Sequence, residues 1–214
     1  MALLNYARTL NDLDRTDEAV QLAERARALA KASGNEVVVD QSLLTLCSLY
    51  RKRGELDRAD SALDEVEPVL RHQLPAGHIA FSSLSSLRAL DAQARGELEK
   101  ALPLADEAVA LTQASIRAGR EGGAYVDTYL VRRAELQLAR SHPLEAAADA
   151  QTVVDHLRGG SSVVLGRAYS VLGRALRAQG RAEEARDPLR KAVENLTATL
   201  GPETAETRAA SQLL

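Results

Sequence analysis

The stretch Tyr169-Ser170-Val171-Leu172-Gly173-Arg174-Ala175-Leu176-Arg177-Ala178-Gln179-Gly180-Arg181-Ala182-Glu183-Glu184-Ala185-Arg186-Asp187-Pro188-Leu189 decides the reading of this chain. Before Gly180, the residues Tyr169, Leu172, Gly173 and Leu176 recur at steps of three and four. After it, Ala185, Leu189, Ala192, Val193 and Leu196 do the same. Each set marks one face of a helix, and Gly180 supplies the break between them. The stretch therefore predicts a helix A, a tight turn and a helix B folded back on it.

The same phrase of polar turn, mixed residues, Ala and apolar helix occurs four more times, at Arg15-Thr-Asp-Glu-Ala19, Gly54-Glu-Leu-Asp-Arg-Ala59, Gly96-Glu-Leu-Glu-Lys-Ala101 and Ser141-His-Pro-Leu-Glu-Ala146. Successive Ala residues are 40, 42, 45 and 39 positions apart. A period near forty, repeated five times, is the signature of stacked supersecondary units. Helix stops fall between units at Ser33-Gly34-Asn35, Leu74-Pro75-Ala76-Gly77, Gly119-Arg-Glu-Gly122-Gly123, Gly159-Gly160-Ser161-Ser162 and Gly201-Pro202,. The runs Val37-Val38-Val39 and Val163-Val164 are too short and too close to helical periodicity to predict strands,.

The expected fold class is all-α: a right-handed superhelical solenoid of five helical hairpins plus an eleventh helix begun at Pro202. With no composition shift along the chain, one domain is expected over residues 1–214. Its units lie at about 1–34, 35–74, 75–120, 121–160 and 161–200, with a capping or truncated helix over 201–214. Both ends read as trimmed from a longer array.

Composition agrees with this architecture and narrows the function. Aromatic residues make up 3% of the 214 residues, with no Trp and one Phe, so Leu, Ala and Val must fill the interior. That suits closely stacked helices better than an aromatic-walled cofactor pocket. A net charge of −3 offers no basic excess for a nucleic-acid backbone,. One Cys cannot form an internal disulfide. No apolar run is long enough for a membrane span, and the N-terminus lacks the pattern of a signal peptide. A cytoplasmic chain bound neither to nucleic acid nor to membrane is expected.

The repeating residues resemble the tetratricopeptide-repeat family, whose helix A carries a large residue, Leu, a small residue and Tyr, and whose helix B carries Ala and a bulky residue. Unit five matches with Tyr169, Leu172, Gly173, Leu176, Ala185, Leu189 and Ala192; unit two with Leu43, Leu46, Cys47, Tyr50, Ala59 and Leu63. Unit one matches with Leu3, Tyr6, Ala7, Leu10, Ala19, Ala23 and Ala26. Units three and four keep Ala89 and Ala134 but place Arg88 and Arg133 in the Leu position, and their stripes Leu84, Leu87, Leu90 and Leu130, Ala134, Leu138 suggest a small shift of register. The long period, Pro103 and Pro188 early in helix B, and the closing Leu200-Gly-Pro-Glu-Thr phrase are similar to the kinesin-light-chain-type repeats common in bacterial signalling proteins. At the small positions Ala7, Cys47, Ala134 and Gly173, helix A is expected to approach helix B closely.

The chemically suggestive residues have structural explanations. Cys47 occupies a small-residue position without a partnering His at recognisable spacing, so a packing role is expected,. His72, His78, His142 and His156 lack metal-ligand spacing and read as solvated or capping residues,. Gly159-Gly-Ser-Ser162 lacks the spaced glycines and Lys of a phosphate loop and reads as a helix stop followed by an N-cap,. The acids Glu97, Glu99, Glu183 and Glu184 sit where B helices start and suit the helix dipole,. No catalytic residue, metal ligand or cofactor is assigned, and no enzyme is expected.

The resemblance implies that A helices line a concave groove that holds a peptide or partner helix. Asn5, Arg8, Thr45, Ser48, Arg51, Arg132, Arg167, Ser170, Arg174 and Arg177 are the candidate partner-binding residues, with Asn11 and Glu135 beside them. The alternative for each is an ordinary solvated helix face. Arg167, Arg174 and Arg177 share one stripe suited to carboxylates, so an acidic segment is the expected partner. Of the Asn residues with which family members clamp peptide backbones, only Asn5 is present, against Thr45, Leu87, Arg132 and Val171 in the other units. The expected function is a protein-interaction scaffold within a larger bacterial signalling or regulatory protein. The alternative is a sensor domain that binds a small peptide or ligand and regulates a linked kinase, ATPase or transcription factor.

Overall fold

A computed structural model describes residues 1–120 and 122–214, the side chain of Ala124 excepted. Eleven helices are present among the described residues: α1 (Ala2–Asp12), α2 (Thr16–Ala32), α3 (Glu36–Lys52), α4 (Leu56–Gln73), α5 (Ala80–Ala94), α6 (Leu98–Arg117), α7 (Gly123–Ala139), α8 (Pro143–His156), α9 (Val163–Ala178), α10 (Ala182–Leu200) and α11 (Ala205–Ser211). No strand occurs among them; Val37–Val39 lies within α3 and Val163 and Val164 open α9. The fold class is an all-α helical-repeat solenoid, and the chain divides within α6 into two compact units, Met1–Leu111 and Thr112–Leu214.

Each A-to-B turn is built the same way. The amides of Arg15, Glu55, Glu97, His142 and Arg181 reach back to the carbonyls of Leu10, Tyr50, Ala92, Gln137 and Leu176 at 2.8–2.9 Å. This closure puts the preceding residue in the left-handed region. Gly54, Gly96 and Gly180 occupy it without cost, whereas units one and four use Asp14 (φ 60°) and Ser141 (φ 61°),. Between units, the Asn35 side chain accepts from the Val38 amide, and Ser162 from the Leu165 amide at 3.1 Å. The Gly159–Ser162 segment is thus the expected stop and cap. Of the Gly119–Gly123 stop, Glu121 lies outside the described residues.

In the first unit, Leu4, Ala7, Leu10, Ala19, Ala23, Leu43, Leu46, Cys47, Ala59 and Leu63 form one continuous core. Small residues from successive helices alternate with Leu, so the helices approach closely with little aromatic bulk. In the second, a Cβ on Gly173 would stand 2.5 Å from Leu189 Cγ and 3.3 Å from the Ala185 carbonyl oxygen, which places α9 hard against α10. Gly166 makes a second such approach, to Leu196.

Two expectations need correction. Units three and four are not shifted in register: Ala89 and Ala134 are as buried as Ala7 and Cys47. The arginines in the Leu position keep that register by extending to acids at the rim, Arg88 to Asp64 and Glu67, and Arg133 through two hydrogen bonds to Asp149,. The eleventh helix begins at Ala205, after a turn at Pro202, because the Thr204 side chain caps it through the Thr207 amide; it ends at Ser211, before the end of the chain. Pro68, Pro103 and Pro188 lie inside α4, α6 and α10. None is buried, so water can replace the helical donor each removes,.

Candidate partner-binding surface

In the first unit the A helices are α1, α3 and α5, and polar side chains link them along one side. Arg8 donates to the Thr45 hydroxyl at 3.2 Å and lies beside Asn5. Thr45 itself donates to the Gln41 carbonyl at 2.8 Å. It is only 5% exposed, so it supports Arg8 and offers little surface of its own, contrary to the expectation that it lines the groove. Ser48 is half-buried and turned to the Leu44 carbonyl. Asn5 and Arg8 are open to solvent.

Arg51 reaches toward Asp91 of α5, with Nη1 3.7 Å from Oδ1. Both atoms are buried and without a hydrogen-bond partner, as is Gln41 Oε1 on α3. Asp91 stands where units two, four and five place the buried Leu49, Leu136 and Ala175 and unit one the exposed Thr9, which makes it an acid in a position that is core in the inner repeats. Burial pushes its carboxyl above the usual range, against the pull of Arg51 and of the Cys47 thiol, whose Sγ donates at 3.4 Å. The same burial, with Asp91 beside it, pushes the Cys47 thiol far up, and Cys47 is buried in the core as the packing role expected from the sequence requires,.

In the second unit, α7, α9 and α11 carry an alternating set of charges. Arg167 donates Nε and Nη2 to Glu206 at 2.6 and 2.8 Å. It is therefore not an uncommitted cation on the arginine stripe. Glu135 faces Arg167, Arg174 and Arg132; burial raises its carboxyl while those three cations pull it down and Glu206 raises it further. Arg132 also lies over the Tyr129 ring, 5.9 Å from its centre. Arg174 and Arg177 are exposed, and Ser170 is half-buried.

The candidate residues thus separate into two surfaces, one in each unit. Asp91 and Glu206, missed in the sequence, are the acids that organise them. The available signals were an Asp in a position held by Leu49 and Leu136 in two other units, and a Glu one repeat period after Arg167.

The histidines are structural or exposed: His78 Nδ1 accepts from the Ala80 amide, and His156 Nδ1 lies 2.9 Å from Asp127 Oδ1. Among the described residues no group of three or more potential ligands could hold a metal ion, and no helix is long and apolar enough to cross a membrane.

Tetratricopeptide-repeat family models match residues 1–25 and 165–206. The first and last repeats are thus similar to tetratricopeptide repeats, and the helical hairpins between them share the same turns and core positions. No curated protein matches it. Among solved structures it is similar to a thermophilic tetratricopeptide-repeat protein of Thermus thermophilus, with 18% identity, 99% of this chain and 97% of that one covered, and a TM-score of 0.63. It is also similar to the nearly identical repeats of a candidate kinesin light chain of Podosopora anserina, with 21% identity, coverages of 92% and 94%, and a TM-score of 0.60. A third similar structure is YrrB, a repeat protein with an unusual peptide-binding site, with 15% identity, coverages of 99% and 91%, and a TM-score of 0.51.

Proposed function

We propose that the chain is a protein-interaction scaffold whose A helices receive a peptide or partner segment. The observation that carries this reading is the polar side of the first unit's A helices, where Asn5 and Arg8 are exposed, Arg8 is propped on Thr45, and Gln41 Oε1 is buried without a hydrogen-bond partner. A buried polar group without a partner is costly. A segment laid along α3, with the Gln41 side chain turned toward it, would supply the donor that Gln41 Oε1 lacks. The peptide-binding site of YrrB supports the same class of partner. A role within a bacterial signalling or regulatory protein is part of the proposal and rests on the resemblance to kinesin-light-chain-type repeats.

An acidic partner is not carried forward, because Arg167 is already neutralised by Glu206 and Arg51 faces Asp91. Photo-crosslinking residues at Arg8, Ser48 and Arg174 test the reading, with Thr152 and Arg190 on B helices as controls. Capture of one protein from the A-helix positions only is expected. Equal capture from the B-helix positions would overturn the assignment.

A further inference from the structure

The first unit holds two cavities that are the same site one repeat apart. The smaller, about 190 Å³, is walled by Leu43 and Leu46 of α3, Arg27 of α2, and Ala62 and Glu65 of α4. Advancing each by one repeat gives Ser85, Arg88, Glu67, Leu104 and Glu107, and all five line the larger cavity, of about 390 Å³, between α4, α5 and α6. Two substitutions account for the added space. Ser85 stands where the other units have Leu3, Leu43, Leu130 and Tyr169, and Arg88 stands in the Leu46 position with its head drawn out to Asp64 and Glu67. The floor remains apolar, with Leu74, Phe81, Leu84, Leu104 and Leu111 around it.

The charge at the rim differs as well. In the smaller cavity, Glu65 is paired by Arg27 and Lys31. One repeat later, the counterpart of Arg27 is Glu67, and the counterpart of Lys31 is Arg71, which pairs with Glu67 instead. Among the described residues Glu107 receives only the Ser85 hydroxyl, at 2.8 Å. Both arginines of the wall are thus committed to carboxylates, and the carboxylate opposite them has lost its cations.

We propose that this cavity binds a Leu-sized apolar side chain flanked by a Lys or Arg on a partner protein. The missing bulk is what a side chain supplies in the other repeats, which argues for a protein segment as occupant, and the unneutralised Glu107 selects a cation beside it. The volume lies within the range of binding pockets. This surface is separate from the polar side of α1, α3 and α5 and does not depend on a partner bound there.

Methyl NMR titration of the full chain with acetyl-Ala-Leu-Lys-Ala-amide and acetyl-Ala-Leu-Glu-Ala-amide tests it, with the Leu84, Leu104 and Leu111 methyls as reporters. The Lys peptide is expected to shift those methyls and to bind about fivefold tighter than the Glu peptide. Glu107→Gln should bring the two within about twofold of each other. Ser85→Leu should fill the cavity, raise the melting temperature and abolish both titrations. Equal binding of the two peptides to the parent, or undiminished binding to folded Ser85→Leu, would overturn the proposal. So would isobutylamine binding as tightly as the Lys peptide, which would mark a small-amine site. If Ser85→Leu does not fold, the Glu107→Gln comparison decides alone.

Discussion

Gly173→Ala tests the close approach of α9 to α10 in the second unit. Ala is a better helix former than Gly by about 1 kcal/mol, so on propensity alone the substitution should stabilise α9. Its Cβ, however, would lie 2.5 Å from Leu189 Cγ and 2.6 Å from Cδ2. Cγ is the branch point of a fully buried side chain, whose movement displaces its neighbours in α10. Carbon atoms prefer separations of about 3.5–4.0 Å, so α9 and α10 must part by roughly 1 Å. Overpacking of this kind costs about 1–3 kcal/mol, which outweighs the propensity gain over most of that range. For a chain of this length the expected net loss, up to about 2 kcal/mol, lowers the melting temperature by up to about 8 °C.

Arg174→Ala, on the exposed side of the same helix, is the control and should change stability by less than about 0.5 kcal/mol,. The double variant Gly173→Ala with Leu189→Ala should be less destabilised than the sum of the singles, because the cavity left by one receives the methyl of the other. Circular-dichroism melting of the four variants and the parent gives the cycle. A Gly173→Ala melting temperature at or above the parent's, or strict additivity with Leu189→Ala, would refute the close approach.

Asp91→Asn should be no less stable than the parent at neutral pH, and its relative stability should rise with pH. The folded carboxyl is raised by burial, so its favourable state is the protonated one, present below the unfolded value of about 3.9 and lost as pH rises through the folded value,. Urea titrations between pH 4 and 7 in which the parent gains on Asp91→Asn would contradict that sign. Ser141→Gly should stabilise the fourth unit by up to about 1 kcal/mol, because relieving a non-Gly residue of the left-handed region outweighs the greater freedom of Gly in the unfolded chain,. Asp14→Gly should gain less, since it also loses the 2.8 Å contact to Lys52; the difference in melting temperature checks both. Arg167→Ala removes a pair about one-third exposed at each end, so less than about 1 kcal/mol should be lost,. It should also raise the Glu135 carboxyl further, by removing a cation that pulls it down, as followed by carboxyl-carbon NMR titration.

The sequence alone determined the helices, their turns and the small positions where they meet. Those features are local: Gly180 and Ala185 lie within one hairpin, and a 3.6-residue period is visible wherever Leu and Ala repeat,. It also placed Cys47 in the core and Gly173 against helix B, because each position recurs in every unit and carries one steric demand. Tertiary structure decided which polar groups are committed. Arg167 and Glu206 are 39 residues apart, and their pairing depends on the distance between α9 and α11 and on two side-chain conformations, neither of which periodicity encodes. Likewise Asp91 and Ser85 are ordinary polar residues in a linear reading. Packed into positions that neighbouring repeats fill with apolar side chains (Leu49 and Leu136 for one, Leu43 and Leu130 for the other), one becomes a buried acid beside Arg51 and the other opens a cavity, because a solenoid holds each core position at the same place whether or not the side chain there fits it,.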